Sequence, residues 1–510
     1  MIDKRNAEAL DQDPPQFWDP ITDGIIDLPF SHPLGQDILL PCIRSKAMRR
    51  LQHISQLSFS HFAFGGKYSR FTHSLQASAQ AYREMAILKE KMDAKFPGTF
   101  EAPIADAVVV ALLLHDLGHA PFSHTFENVM QSVGKAFAHE AWTLRIITED
   151  PEIKSVFERF ISKHAAYGAP FEERYGCSFR DMVLNLIDGE VAPELSIYKS
   201  FVSGARDCDR TVYLQTDRKV TGAYRRSFNL ETILANLDVD QMDMSDDTKR
   251  IRKVPVVVYA GRAKEDLAEF LLSWRRQYKK ICWHAPARAA EQMLTTVLAE
   301  AVDRERQQAH KGIQKNDALS RFLVEDVPSL ETFLELTDAS ILGLVEESSV
   351  LQDNGQVQKI ARDLSDKRLY ASISLDGSMK TAENWENYKT YLTGVLEERG
   401  DGTLDDIVFD RTRVRDVRYV PEQPLSPKTL PQVIWVRSKD GTLLTIQDLS
   451  AKLRKKPPLQ RMFVHAASEE IQKVVIKATD KFCVAHGLKR PSNRSVRSNT
   501  ARAKKFEGMH

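Results

Sequence analysis

Seven of the chain's 14 histidines fall between His53 and His139: His53, His61, His73, His115, His119, His124 and His139. Several sit where helical apolar spacing begins or ends, and this constrains the fold more than any other feature. His73 lies near the start of one predicted helix, over 73–92. His115-Asp116 lies at the end of another, over 104–117, where Gly118 and Pro121 supply stop signals. His119 follows one turn beyond His115, and Asp209 belongs to a later predicted helix at 205–218. Adjacent side chains diverge by about 100° on a helix, so His115 and Asp116 can serve one cation only from a crevice between helices. His73 and Asp209 would then come from the crevice walls. A mixed imidazole and carboxylate set suits a divalent ion such as Mn, Mg, Fe, Ni or Zn, with open positions for water and a phosphate oxygen.

The expected fold class is mainly α with a C-terminal α+β domain. Ile43, Met48, Leu51, Ile54 and Leu57 recur at helical spacing, and further helices are expected at 138–148, 150–163, 179–188 and 265–310. Residues 1–30, with Pro14, Pro15, Pro20 and Pro29, read as an extended arm lying over a neighbour. The body spans 31–310 and a helical, acidic connector 311–364. Within the body, Pro255–Tyr259 reads as one arm of a small ribbon. Strands are expected at Tyr370–Ser374 and Asp416–Val420, and a hairpin around Lys439-Asp440-Gly441. These place an α+β unit at 365–475. Residues 488–510 carry seven Lys or Arg against one Glu and read as a basic disordered tail, a source of weak, salt-dependent nucleic-acid affinity.

Composition narrows the rest. Lys plus Arg number 71 against 70 Asp plus Glu, a formal charge of +1, so no bulk attraction to nucleic acid or membrane follows. Ala107–Leu114, the longest strongly apolar run, is far short of the roughly 20 residues that cross a bilayer, and the polar, acidic start is unlike a signal peptide. The expectation is a cytoplasmic protein with no membrane partner. Cys42, Cys177, Cys208, Cys282 and Cys483 form no CxxC pair and read as reduced thiols.

The strings RFTHS at 70–74, HDLGHAPFSH at 115–124, His139-Glu140 and D-C-D-R-x-x-Y-x-x-x-D from Asp207 to Asp217 resemble the HD superfamily of metal-dependent phosphohydrolases. More narrowly, they resemble its deoxynucleoside triphosphate triphosphohydrolase branch, with the SAM-and-HD-domain enzymes and their bacterial relatives. The similarity runs over about 30–300 and takes in the stretch from Cys282 to Glu291. The fold it implies is an HD-domain helical bundle. It implies that His73, His115, Asp116 and Asp209 bind the metal and that His119, with His139 as partner and Glu140 as orienter, is catalytic. Arg70, His124, Arg210 and Tyr213 match phosphate or sugar contacts, Gln56 and Asp217 match sugar 3′-hydroxyl contacts, and His284 falls beside the base. The activity implied is hydrolysis of dNTPs to deoxynucleoside and triphosphate by a homo-oligomer. Two departures bear on substrate choice. Trp274, flanked by Arg275 and Arg276, stands where the family usually places a phosphate-gripping Arg, and Cys282 replaces the family Tyr two residues before His284.

Alternatives stay open on the residues alone. Arg210 and Asp217 also read as an intrahelical charge network, and His53 and His61 as packing or pocket-lining residues. An HD-type nuclease or cyclic-nucleotide phosphodiesterase would use His119, His124 or His139 for a second metal. A nucleotide-sensing, nucleic-acid-binding regulatory module would bind without turnover.

Overall fold

The computed structural model describes residues 15–490, apart from 22, 246–250, 312–316, 351–354, 376–378, 380, 401–405, 415–428, 451–452 and 454–458. Ala102–Leu114 is the axis of the body. Apart from Asp106, which receives the Tyr167 hydroxyl, it carries no charged side chain, and ten of its thirteen residues are buried, as expected of a helix surrounded by other helices. Arg70–Lys95 lies against it, started by Ser69, whose hydroxyl accepts Thr72 N–H at 3.2 Å. Cys208–Thr221 packs on the other flank of Arg70–Lys95. Its start is fixed by Asp207, whose carboxylate accepts Arg210 N–H at 2.7 Å, and it ends at Gly222 in the left-handed region.

Helices at His139–Glu149, Pro151–Lys163 and Phe179–Asp188 lie close to their expected limits. The expected 43–57 stripe is divided. Ser45 is extended and caps a new helix at Lys46–Arg50, so Leu40–Arg44, Lys46–Arg50 and Leu51–His53 turn the chain around one buried cluster. The 265–310 segment is two helices, Lys264–Gln277 and Ala285–His310, separated by a widened turn at Tyr278–Cys282. Pro286, in the first turn of the second helix, has no N–H to continue the first. In the arm, Trp18–Asp19 pairs with Gly24–Ile25, Asp19 accepts Gln76 Nε2–H at 2.7 Å, and Phe17 meets Phe71 edge-on. Residues 1–14 lie outside the described residues.

Two further sheets complete the fold. Leu237–Ser245 pairs antiparallel with Ile251–Ala260, the ribbon expected around Pro255–Tyr259. The expected hairpin forms between Trp435–Arg437 and Leu443–Thr445 but not within the C-terminal sheet. Trp435–Arg437 instead runs parallel to Val258–Ala260, extending the ribbon to four strands. The physical cause is burial, since Val258 and Val436 are both fully enclosed and each needs a neighbouring strand. The separate C-terminal sheet has Leu459–Ala466 at its centre, antiparallel to both Ala371–Ser374 and Ile407–Val414. The helices Ala382–Arg399 and Glu469–Ala485 share its core of Trp385, Tyr388, Val464 and Phe482. This is the α+β texture the sequence implies. The expected strand at Asp416–Val420 and residues 491–510 of the basic tail lie outside the described residues. No described helix is long and apolar enough to cross a membrane.

Candidate functional site

The crevice lies where Arg70–Lys95, the mouth of Ala102–Leu114 and the first turn of Cys208–Thr221 converge. His73 Nε2 is 2.9 Å from Asp209 Oδ1 and 3.7 Å from Asp116 Oδ2. His115 Nε2 is 3.3 Å from Asp116 Oδ1 and 3.7 Å from Asp209 Oδ1. The structure therefore brings His73, His115, Asp116 and Asp209 together. Among the described residues, both ring nitrogens of His73 and Nε2 of His115 are buried and make no hydrogen bond of proper geometry, close as the carboxylates are. Buried imidazole nitrogens left this way are costly unless something outside the protein satisfies them. His115 Nδ1 lies 2.8 Å from Leu112 O, which can only accept, so this nitrogen carries the proton and Nε2 presents its lone pair to the crevice. Among the described residues the ligand atoms of His73, His115 and Asp209 lie within 4.8 Å of one another, with Asp116 beside them, a set that fits a divalent cation.

The electrostatics agree. Burial disfavours charge on His115, but Asp116 and Asp209 more than offset it and lift its pKa to about 9, so the crevice holds a proton tightly when no metal competes. Burial also opposes ionisation of Asp116, yet Arg70, His115 and His119 hold its carboxyl well below the usual range. Arg70 contributes directly, with Nη1 donating to Asp116 Oδ2 at 2.6 Å and Nε to Ser123 Oγ at 2.7 Å.

Gly118 explains how the next histidines arrive. A Cβ there would meet His139 O at 2.0 Å and Thr143 N at 2.3 Å, so only glycine admits the His139–Glu149 helix this close. Thr143 Oγ1 accepts Gly118 N–H at 2.9 Å and donates to His115 O at 3.0 Å, locking the two segments. The His139 ring consequently stacks on His119, centroids 4.0 Å apart and planes 13° apart. His119 Nε2 is 3.2 Å from Asp116 Oδ1. Burial, together with the Arg70 and His139 charges, holds the His119 pKa well below the ordinary imidazole value despite Asp116. His139 Nδ1 is 3.3 Å from Glu140, the expected orienter, and also 3.3 Å from Glu127 Oε2. Glu127 bonds His124 Nδ1 as well, at 3.1 Å, and is the better-buried of the two carboxylates. Burial works against the charge on Glu127, but the two histidines pull its pKa down to about 2. Among the described residues, His119, His124 and His139 form a second group whose ligand atoms lie within 4.8 Å of one another.

Of the remaining expected contacts, Asp217, Gln56 and His284 carry buried polar atoms and would together outline a candidate substrate pocket. Asp217 is buried and receives the Tyr68 hydroxyl and Gln277 Nε2–H. Burial pushes its carboxyl up to about 7, against the pull of those two donors. Gln56 Oε1 and His284 Nδ1 are buried acceptors with no partner, and the His284 ring lies 4.8 Å from that of Phe64. Tyr213 is half-buried, 6.5 Å ring to ring from His73, and His124 stands exposed at the mouth. Arg210 does not aim into the crevice. Its Nη1 donates to Gly204 O at 2.8 Å and its Nε lies 3.6 Å from Asp207, because Asp207 is the cap one turn earlier. Trp274 is buried against Tyr278, 4.8 Å ring to ring, and Arg276 is tied to Glu269.

Two supports escaped the sequence reading. Phe122 and Ser123 both have positive φ, at 53° and 55°. Asp338 holds this turn, with Oδ1 accepting Phe122 N–H at 2.8 Å and Oδ2 accepting Ser55 N–H at 3.0 Å. Arg50 lies over the Phe333 ring and donates to the carbonyls of Leu336 at 2.8 Å, Leu117 at 3.3 Å and His119 at 2.8 Å.

The model of the HD domain matches residues 70–194. Over this stretch the chain is similar to HD domains. Among relatives, the uncharacterized protein YwfO of Bacillus subtilis is 25% identical over 369 residues, 70% of this chain and 72% of its own length. A deoxyguanosinetriphosphate triphosphohydrolase-like protein of Brucella anthropi is 36% identical over 111 residues, 21% of this chain and 24% of its own. The human deoxynucleoside triphosphate triphosphohydrolase SAMHD1 is 30% identical over 180 residues, 33% of this chain and 26% of its own. The chain thus spans about a quarter of the length of these last two. A solved phosphohydrolase structure from Bacteroides thetaiotaomicron shares the fold, with a TM-score of 0.63 at 20% identity over 89% of this chain and 99% of that one.

Proposed function

We propose that this chain is a metal-dependent phosphohydrolase that cleaves dNTPs to deoxynucleoside and triphosphate. One observation carries the reading: buried imidazole nitrogens of His73 and His115 without hydrogen bonds, facing Asp116 and Asp209, beside the stacked pair His119 and His139. His73, His115, Asp116 and Asp209 would hold the divalent ion, which when bound supplies Lewis-acid polarisation of a phosphoryl oxygen.

The protein's own groups do the rest. Arg70 fixes the orientation of Asp116 and puts a buried positive charge beside the place where phosphoryl charge develops. Burial and the Arg70 and His139 charges disfavour a proton on His119 in the substrate-free site. An arriving polyphosphate adds negative charge and raises its proton affinity, which suits it to protonate the nucleoside 5′-oxygen as water attacks the α-phosphorus and the bond between them breaks. The proton that the attacking water loses balances the one that His119 gives to the 5′-oxygen, and Glu127, held ionised by His124 and His139, orients the His139 ring stacked on His119. Asp217, Gln56 and His284 offer polar atoms to sugar and base.

The test is to incubate the protein with Mn or Mg and each dNTP, each NTP and a single-stranded oligonucleotide, then resolve the products by ion-pair chromatography. Deoxynucleoside plus intact triphosphate from dNTPs is expected; nucleoside monophosphate or shortened oligonucleotide would overturn the reading. A second reading, an HD-type nuclease or cyclic-nucleotide phosphodiesterase, has one observation in its favour, the clustered His119, His124 and His139 as ligands for a second cation. Two metals per chain would support it. Light scattering tests the homo-oligomer that the resemblance implies.

A further inference from the structure

Behind the pocket, on elements that carry none of the proposed cation ligands, a second polar network is buried where the C-terminal sheet meets the Ala285–His310 helix. Asp410, on Ile407–Val414, receives Arg288 at both oxygens, from Nε at 2.9 Å and from Nη2 at 2.7 Å. Arg288 Nη1 donates to Glu291. Glu291 in turn faces the hydroxyl of Thr125, the neighbour of His124, which helps hold its charge against burial. Thr125 Oγ1 lies 2.7 Å from the hydroxyl of Ser58, two residues after Gln56. On its other side Asp410 lies 3.4 Å from His465 Nε2. His465 Nδ1 pairs with Ser372 Oγ at 2.8 Å, and Ser372 Oγ donates to Ala285 O at 3.2 Å.

Ser372, His465 and Asp410 have the residue types of a hydrolytic triad, but they are only 4%, 1% and 3% exposed. No ester or peptide can reach a serine enclosed in this way, so the network is not a second active site. A buried ion pair is also a poor way to add stability, because desolvation offsets most of the Coulomb attraction. What the network does have is directionality. It grips the first turn of one helix at two points, the Ala285 carbonyl and the Arg288 side chain. His284 is the N-cap of that helix, its carbonyl accepts Arg288 N–H at 2.9 Å, its ring packs 4.8 Å from that of Phe64, and among the described residues its Nδ1 has no hydrogen-bond partner.

We propose that Asp410 is a positioning residue for the pocket: through Arg288 it sets where His284 and Thr125 stand, so the C-terminal sheet tunes nucleotide affinity while leaving the cation ligands alone. This rests on the reading of the pocket as a nucleotide site. Positioning of this kind acts on binding, because the groups it moves touch the substrate away from the reacting phosphorus.

The test uses the full chain with Asp410→Asn, which keeps the shape and one acceptor, and Ser372→Ala, which cuts only the second grip. Amide hydrogen exchange over 285–291 is expected to quicken in both variants while 102–114 is unchanged. The KM, or the Kd by calorimetry with Mn and dNTP, is expected to rise by about tenfold in Asp410→Asn, which is ~1.4 kcal/mol. The kcat stays within about twofold, and metal content stays at the wild-type value. Unchanged exchange at 285–291 in a folded Asp410→Asn protein overturns the tether, whether or not the protein acts on nucleotides. Quickened exchange with unchanged KM overturns the positioning role. Wild-type protein that neither binds nor cleaves any nucleotide brings down the functional reading, and the nucleotide part of this proposal with it.

Discussion

Asp338→Ala removes a carboxylate that is 4% exposed and accepts two backbone N–H groups, Phe122 at 2.8 Å and Ser55 at 3.0 Å, together with the Ser55 hydroxyl. Each backbone donor left buried and unpaired costs about 1–3 kcal/mol, so the expected loss is about 2–6 kcal/mol. With unfolding entropy of ~2 cal/mol/K per residue, a chain of 510 residues loses about 1 °C of melting temperature per kcal/mol. The expected drop is therefore about 2–6 °C. A second consequence is local. Phe122 and Ser123 hold positive φ, each at a cost of about 1–3 kcal/mol, and the turn stays strained only while Asp338 holds it. Once it relaxes, Ser123 Oγ withdraws from Arg70 Nε and from Ser55 O, and Arg70 loses its hold on Asp116. Activity is expected to fall by about tenfold or more, the equivalent of ~1.4 kcal/mol in the barrier. Asp338→Asn should fall between the two, because one oxygen remains to serve one of the two segments. Differential scanning fluorimetry and initial rates measure both effects. An Asp338→Ala protein that melts within a degree of wild type and turns over at the same rate would refute the reasoning.

Burial lifts the Asp217 carboxyl to about 7, above its unfolded value near 3.8, although Tyr68 and Gln277 pull the other way. A raised carboxyl gives the folded state its advantage below the unfolded pKa, and the advantage is lost as pH rises through 7. In chelated protein, Asp217→Asn should therefore gain melting temperature relative to wild type between pH 5 and pH 8, and a constant gap would contradict this. Glu127 behaves oppositely. Its pKa, lowered to about 2 by His124 and His139 against the effect of burial, gives stability that is present above about 4.5 and lost as pH falls toward 2. Glu127→Gln should flatten the acid limb of the melting curve; an unchanged limb would show that the histidine pairing contributes nothing. Gly118→Ala forces the His139–Glu149 helix away, since its Cβ would lie 2.0 Å from His139 O, and should lower both stability and rate. Gain or retention of activity would mean that the His119–His139 stack is dispensable.

The elements that bring His73, His115, Asp116 and Asp209 together were legible because these residues stand at helix ends, where a few letters of sequence fix both the element and its mouth. RFTHS opens one helix and HDLGH closes another. Asp338 and Arg50 were not legible, because their partners are backbone groups far along the chain and no local spacing marks such a pairing. Glu127 could have been found from its place one turn after His124 on a helix. Tyr68 and Gln277 could not, since only the tertiary fold carries them to Asp217. The partners of Arg210 in the ligand-free site, the Asp207 cap and the Gly204 carbonyl, follow from a tertiary turn that no local spacing marks. The 435–445 hairpin was seen as a hairpin, but its parallel partner at Val258–Ala260 leaves no mark in the local pattern.

The most direct test of the account is metal content per chain, by inductively coupled plasma mass spectrometry after reconstitution and desalting, for wild type, Asp116→Ala, Asp209→Ala and His119→Ala. The account predicts one divalent ion in wild type and in His119→Ala, and loss of the ion in Asp116→Ala and Asp209→Ala with the fold retained. An ion retained in Asp209→Ala, or two ions in wild type with one lost in His119→Ala, would contradict it.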